Sequence, residues 1–269
     1  MKRFILLLFL AMGLLFGMAS YGSAAPRESI MEKIVQRGTM RVGFSSFVPW
    51  AMQDKNGKYI GFEIDVAERL AKDLGVKIQL VPTNWDGIIP ALLSGKFDVI
   101  IGSMSITPQR MLSVNFSIPY DHAYVDMTLN KAKCKHIAAR EDLNRKDIVI
   151  AVRTGTTAAA AAAKLFPSAT LRMFNDEAPA VEEVLSGRAH AFVSSAPLPA
   201  METLKHSDIL EQKFETGLAM QPVAFALPKG DFDTLNVFDS WIRLVEEEGW
   251  LQERRQYWFK SDAWQERLH

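Results

Sequence analysis

The sequence has few of the residues and motifs on which disulfide-stabilised, metal-dependent or nucleotide-dependent proteins rely. Its single cysteine, Cys134, excludes a disulfide within the chain. The five histidines show no spacing that is typical of zinc ligands. No phosphate-binding loop, GxGxxG or GxSxG motif occurs anywhere in the 269 residues. We therefore expect no metal and no cofactor.

An excess of one charge is also absent. Lys and Arg together number 31, as do Asp and Glu, and no basic stripe or block is found along the chain. This pattern argues against a nucleic-acid partner. The hydrophobic share of 48% and the charged share of 23% are those of a globular protein. The length allows one large domain or two of ordinary size.

The only long apolar run lies at the N-terminus. Two basic residues precede an apolar stretch from residue 4 to about residue 18, and small residues continue to Ala25. This order is typical of a secretory signal peptide, and the run is shorter than the roughly 20 residues of a membrane-spanning helix. We predict a signal peptide at 1–25, cleaved after Ala24 or Ala25, and a mature protein in a bacterial periplasm. An uncleaved anchor is the alternative.

The rest of the chain alternates between strand and helix patterns. Apolar strands such as TMRVGFS and FDVIIGSMS flank helical periodicity in IGFEIDVAERLAKDLG. A second series begins near residue 130 and contains DIVIAVRTG, TTAAAAAAKLF and HAFVSS. This alternation predicts an α/β fold with mostly parallel sheets. Two such series predict two lobes, with a ligand cleft beyond the carboxyl ends of the strands.

Four motifs, in order, carry a family resemblance: GFEIDVAERLAKDLGV, WDGIIPALLSGKFDVIIGSMSITPQR, FSIPY and VRTGTT. Together they resemble the polar amino-acid-binding family of bacterial periplasmic solute-binding proteins, family 3. The similarity runs from about Thr39 to Phe259. It implies the two-lobed periplasmic binding protein type II fold, in which each lobe is a mostly parallel sheet flanked by helices.

The resemblance also implies the division of the chain and its role. Lobe 1 is expected at 26–127 plus 225–269 and lobe 2 at 128–224, with hinge strands near 125–130 and 218–225. The expected protein is a monomer that captures a small carboxylate-bearing solute, an amino acid or a derivative, by lobe closure. It would deliver this solute to the membrane permease of an ABC importer and would not be an enzyme.

The stretch SMSITPQR supplies the first group of candidate site residues. In the family, the arginine that ends this motif pairs with the α-carboxylate of the ligand, and the resemblance places Arg110 there. Ser105 matches a hydroxyl that contacts the ligand, and Ser103 belongs to the same polar cluster. A planar guanidinium matches the two oxygens of a carboxylate, which makes the assignment chemically reasonable. The alternative is an arginine at a helix start that points to water.

The second group lies in RTGTT, which the resemblance assigns to lobe 2. Gly155 would let the backbone approach an anion, and Thr156 and Thr157 would stand at the first turn of the alanine-rich helix. Free backbone N–H groups and the helix dipole favour a negative group there. The alternative is an ordinary threonine N-cap.

Three aromatic residues complete the candidate pocket: Phe47, Trp50 and Trp85. They match positions where the family has rings around the side chain of the ligand, and such rings can cover apolar or cationic groups. Packing in the core is the alternative for each of them.

One position departs from the family pattern. Where α-amino-acid binders have an aspartate for the ligand ammonium, this sequence has Ser195, in GRAHAFVSSAP. Three explanations stay open: the ligand lacks an α-ammonium; another acid such as Glu63, Asp86 or Asp121 replaces the aspartate; or the cleft binds weakly or has acquired another role. His190 is expected to be a strand-edge residue.

Two other functions compete with solute capture. The fold also resembles periplasmic cyclohexadienyl dehydratase, in which an acid of lobe 2 drives elimination. The segment SSAPLPAMETL has no acid before Glu202, which argues against proton transfer from that region. A ligand-sensing protein is the third possibility, although a sensor is expected to carry a membrane segment and a signalling output that this sequence does not show.

Overall fold

The protein is built around two separate β-sheets. Its computed structural model describes residues 28–214 and 217–268. The predicted signal peptide at 1–25 lies outside these residues. Within the described ranges, no helix has the length and apolar character needed to cross a membrane.

The strands and helices follow the alternation expected from the sequence. The strands are β1 (Thr39–Phe44), β2 (Met52–Gln53), β3 (Tyr59–Ile60), β4 (Lys77–Pro82), β5 (Val99–Ile100), β6 (Val114–Phe116), β7 (Asp121–Asn130), β8 (Val149–Arg153), β9 (Thr170–Phe174), β10 (Ala191–Ser195), β11 (Leu210–Glu211), β12 (Ala219–Val223) and β13 (Ala226–Pro228). The helices are α1 (Ile30–Arg37), α2 (Phe62–Asp73), α3 (Ile88–Leu93), α4 (Pro108–Met111), α5 (Thr157–Leu165), α6 (Glu177–Leu185), α7 (Leu198–Lys205), α8 (Phe232–Glu247) and α9 (Trp250–Lys260).

Each sheet combines parallel and antiparallel pairs. The first has the order β4-β1-β5-β13-β6, with β1 parallel to β4 and β5, and β13 antiparallel to its neighbours. The second has the order β11-β7-β10-β8-β9, with β12 also on β7. In it β8 is parallel to β9 and β10, whereas β7 is antiparallel to its partners. A hairpin of β2 and β3 stands apart. The expected two-lobed α/β fold is therefore present, with mixed sheets where mostly parallel ones were predicted.

The antiparallel strands are those next to the two connections between the lobes. The chain leaves the first sheet after β6 and enters the second with β7, so it crosses at residues 117–120. It returns between β12 and β13, at residues 224–225. Because β7 and β12 carry the chain in opposite directions and pair with each other, antiparallel pairing follows from the connectivity. The lobe boundary predicted after residue 127 falls inside β7, which already belongs to the second sheet from Asp121 onward.

The helices bury one face each against these sheets. On α2, the helical periodicity predicts a stripe of Ile64, Ala67, Leu70, Ala71 and Leu74. The first four are buried, and Leu74, just past the end of the helix, is half-buried. The terminal helices α8 and α9 pack beside α2, where the indole N–H of Trp258 donates to Asp65 at 2.7 Å. Burial of such a large ring with a satisfied N–H anchors the C-terminal pair to lobe 1.

Candidate functional site

A cavity lies between the lobes, at the carboxyl ends of β1, β5, β8 and β10. The residues of its lobe 1 wall are Ser45, Phe47, Trp85, Gly102, Ser103 and Ser105. Those of its lobe 2 wall are Arg153, Thr156, Thr157, Ala158, Glu177, Ser194 and Ser195. Parallel strands bring loops from distant parts of the sequence to one edge of a sheet, which is where α/β proteins bind ligands. The free volume is about 30 Å³, which holds only a water molecule or two.

Arg110 reaches across the mouth of this cavity. It lies in the single turn of α4, where the hydroxyl of the N-cap Thr107 accepts the Arg110 backbone N–H at 3.2 Å. One guanidinium nitrogen donates to the carbonyl of Ser105 at 2.9 Å, and the other donates to the carbonyl of Gly155 in lobe 2 at 3.1 Å. Burial lowers the pKa of Arg110 to about 10, so the side chain stays cationic at neutral pH. No carboxylate of residues 28–214 or 217–268 forms an ion pair with it.

The backbone that leads to Arg110 is bent sharply. Ser103 has a φ of 56°, a left-handed conformation that is uncommon for residues other than glycine. Ser105 is buried and pairs in a β-bridge with Val223, next to the return connection between the lobes. The bend turns the chain from β5 into the cavity wall, so both serines face the cleft.

Gly155 is a point of direct contact between the two lobes. Its φ of 72° favours glycine, and its carbonyl accepts the Trp85 indole N–H at 3.1 Å as well as the Arg110 guanidinium. The centre of the Arg110 guanidinium lies 5.4 Å from the centroid of the Trp85 ring, a cation–π distance. Gly155 and Arg110 therefore join the walls, although neither is among the residues that line the cavity itself.

The first turn of α5 forms the facing wall. The Thr156 hydroxyl accepts the Ala159 N–H at 3.1 Å and donates to the Arg153 carbonyl at 2.7 Å. Thr156 is thus the N-cap, the alternative considered from the sequence, and its hydroxyl is already occupied. The backbone N–H groups of Thr157 and Ala158, which begin a nine-residue helix, are what this wall offers to an anion.

The aromatic candidates divide between wall and core. Phe47 lines the cavity and stacks on Trp50, with ring centroids 4.5 Å apart and planes 3° apart. Trp50 is only 4% exposed and also packs on Phe259, at 5.0 Å between centroids. Trp50, which was expected in the pocket, lies instead behind Phe47 as its support. Trp85 lines the cavity, as the family resemblance implied.

Arg153 is a site residue that the sequence analysis did not select. It is 3% exposed and spans the cleft, donating to the Ser45 hydroxyl at 2.5 Å and to the Ser46 carbonyl at 3.2 Å. Within lobe 2 it lies 3.7 Å from a carboxylate oxygen of Asp176. Its place at the end of β8, two residues before Gly155, was the signal that could have identified it.

Glu177 is the second residue that was missed. It begins α6 and lines the same cavity as Ser194 and Ser195. Burial raises the pKa of Glu177 to about 7, while Arg153 and the Ser194 hydroxyl act in the opposite direction. Its Oε2 is buried and accepts no hydrogen bond from the described residues. An acid therefore lines the same cavity as Ser195, the position at which this sequence lacks the aspartate of the family motif.

The other acids considered from the sequence lie elsewhere. Glu63 is buried in lobe 1, where it accepts the Tyr120 hydroxyl at 2.5 Å, and burial raises its pKa to about 8. Asp121 pairs with Arg255 at 3.2 Å, and Asp86 is exposed at the rim beside Gly155. None of the three is among the described residues that line the cavity. His190 accepts the Val149 N–H at 3.1 Å, the strand-edge role that was expected.

Two lobes, two connections and a polar cleft with a facing arginine define the class of two-lobed solute-binding proteins. The sequence model of the family described as bacterial extracellular solute-binding proteins, family 3, matches residues 40–261. The chain belongs to this family.

Three comparisons show the range of proteins that this chain resembles. It is 28% identical over 237 residues to the L-cystine-binding protein TcyJ of Escherichia coli strain K12, covering 88% of each chain. It is 25% identical over 240 residues to a cyclohexadienyl dehydratase of Pseudomonas aeruginosa, covering 88% of this chain and 89% of the other. The structure of a binding component of an ABC transporter from Wolinella succinogenes, complexed with lysine, is 37% identical with a TM-score of 0.80, covering 86% and 99%.

Proposed function

We propose that this protein is a periplasmic solute-binding protein that captures a small carboxylate-bearing ligand between its lobes and delivers it to an ABC importer. The observation that carries the proposal is the half-buried Arg110 guanidinium, which has no acidic partner among the described residues and donates across the cleft to the Gly155 carbonyl, two residues before α5. A carboxylate would satisfy both sides at once.

Lobe closure follows from the same geometry. With about 30 Å³ free, the cavity is too small for a whole amino acid, so entry requires the lobes to separate. Arg110 would then exchange the Gly155 carbonyl for the carboxylate of the ligand. Because only the closed state lets a ligand touch both walls, binding shifts the population toward closure. Relatives with cystine and lysine in their names support an amino acid or a derivative as ligand.

A thermal-shift screen followed by calorimetry tests the proposal. The panel contains the twenty common L-α-amino acids, L-cystine, octopine and the carboxylic acids that match each amino acid but lack its α-ammonium. A ligand that binds only the native state raises the melting temperature. We expect at least one carboxylate to do so and its methyl ester to do so much less. A flat response across the whole panel would contradict the proposal.

A second candidate function is elimination chemistry of the cyclohexadienyl dehydratase type. The absence of an acid before Glu202 argued against it, but Glu177 reaches the cleft from another element, with a pKa raised to about 7. A carboxyl with a pKa near the working pH can act as a general acid or base. Turnover of prephenate or arogenate by the native protein, lost in Glu177→Gln, would establish this activity.

A further inference from the structure

We propose that Glu177 is the residue that receives a cationic nitrogen of the ligand, in place of the aspartate that the family motif would put at Ser195. This inference rests on the proposed function, because it names the partner of the cationic end of a ligand whose carboxylate is held by Arg110. It makes Glu177 a residue that determines which carboxylates the cleft accepts.

The first argument is the unpartnered oxygen. Oε2 of Glu177 is buried in the cavity wall and accepts no hydrogen bond within the described chain. A buried polar atom without a partner costs free energy, so native sites usually provide one. Because an ionised carboxylate only accepts hydrogen bonds, the ionised form of Glu177 needs a donor here, and a cationic nitrogen is such a donor.

The second argument is the charge of the surroundings. Arg153 is the nearest cation to Glu177, but no nitrogen of Arg153 lies within 4.0 Å of its carboxyl oxygens, and Arg153 is paired with Asp176 and with the Ser45 and Ser46 loop. Its attraction lowers the pKa of Glu177 but does not offset the effect of burial, which still raises that pKa to about 7. A ligand cation is the group that would stabilise the ionised Glu177 at neutral pH.

The third argument is the shape of the wall. Ser194 and Ser195 end β10 on the same side of the cavity as Glu177, so two hydroxyls and one carboxyl converge there. Arg110 and the first turn of α5 instead present a positive charge and backbone N–H donors, which suit an anionic group. A zwitterion matches this arrangement, whereas a simple carboxylate would leave the Glu177 oxygen without a donor.

The cation could be the α-ammonium or a positive group on the side chain of the ligand. The experiment therefore compares two probes by calorimetry: the L-α-amino acid of the panel that binds the native protein most tightly, and the same acid with hydrogen in place of its α-ammonium. Both are titrated into native protein, Glu177→Gln, Glu182→Gln and the double variant Glu177→Gln, Ser195→Asp. Glu182 is the matched control, because it is exposed on the same helix.

We expect Glu177→Gln to weaken binding of the amino acid by roughly ten- to a hundredfold, the usual size of a hydrogen bond to a charged group. Glu182→Gln should match the native protein, and the double variant should recover much of the loss. If the α-ammonium is the partner, Glu177→Gln leaves binding of the desamino acid unchanged. If a cation of the side chain is the partner, both probes lose affinity together.

Two results would overturn the inference while leaving the proposed function intact. One is an amino-acid affinity in Glu177→Gln equal to that in Glu182→Gln, with melting temperatures showing that both are folded. The other is a native protein that binds only carboxylates without a cationic nitrogen. If neither the amino acid nor its desamino analogue binds the native protein, the proposed function, capture of a carboxylate-bearing ligand, is contradicted instead.

Discussion

The two walls of the cleft differ in how closely they follow the family pattern. In lobe 1, the predicted site residues Arg110, Ser105 and Trp85 lie at the cleft, beside a packed aromatic layer. In lobe 2, Gly155 keeps the turn of the RTGTT motif, but position 195 is a serine and the acid that lines the cavity is Glu177. We infer that the carboxylate end of the site keeps its family residues, while the proposed partner of a ligand cation lies on another element.

The largest effect is expected from removing the Trp50 ring, which supports the lobe 1 wall from behind, in comparison with the Trp85 ring, which lines the cleft. Trp50→Ala removes a buried ring behind Phe47 and should cost about 3–5 kcal/mol of the free energy of unfolding. Trp85→Ala removes a half-buried ring at the cleft and should affect binding more than stability. Thermal melts and calorimetry on both variants measure this. If Trp50→Ala kept the native stability but lost binding, Trp50 would contact the ligand, which contradicts its assignment to the core.

Arg110→Ala should remove the carboxylate grip. We expect a loss of roughly 2–5 kcal/mol in binding free energy, as for one partner of a desolvated charge pair. Arg145→Ala is the control, because Arg145 pairs with Asp147 on the exposed surface. Calorimetry with the tightest panel ligand gives the comparison. Equal affinities for the two variants would show that the cleft does not hold its ligand through Arg110.

If Glu177 receives the ligand cation, the affinity for that ligand should depend on pH, whereas the lobe 1 wall predicts no such dependence. With a pKa of about 7, Glu177 is neutral below that value and anionic above it. The charged groups around it are Arg153 and Asp176. Affinity for a cationic ligand should therefore rise roughly tenfold from pH 6 to pH 8. Calorimetry across this range should show a flat profile for Glu177→Gln, and a native profile that falls with pH would contradict the assignment.

Ser195→Asp gives the smallest expected effect. With Glu177 present, the new carboxylate would share the cavity with an acid, and like charges raise each other's pKa, so affinity should change by less than about threefold. In the Glu177→Gln background, the same change should restore binding. A large gain in the native background would mean that the cationic end is open and that Glu177 does not serve it.

The sequence predicts the local parts of this structure well. The helical stripe of α2 and the polar stretch that ends in Arg110 depend on neighbours in the chain, and both motifs lie next to strand ends. Residues in such loops converge because parallel strands end at one edge of a sheet. The two-lobed α/β fold follows from the same local patterns together with the order of the motifs.

The features that the sequence did not predict depend on contacts between distant segments. Glu177 was missed because its position depends on where α6 begins relative to β10, and no periodic pattern encodes that. Trp50 and Trp85 were both expected in the pocket, and the packing of Trp50 against Phe47 and Phe259 is what places it in the core. The mixed sheets were missed because strand direction follows from the two connections between the lobes.

The most direct test of the account is the affinity of the tightest panel amino acid and of its methyl ester, for the native protein and for Arg110→Ala. The ester keeps the ammonium and the side chain but removes the carboxylate charge. The account predicts that the native protein binds the ester at least about thirtyfold more weakly than the acid. It also predicts that Arg110→Ala binds the two with nearly equal affinity. A native protein that does not distinguish acid from ester would contradict the carboxylate grip.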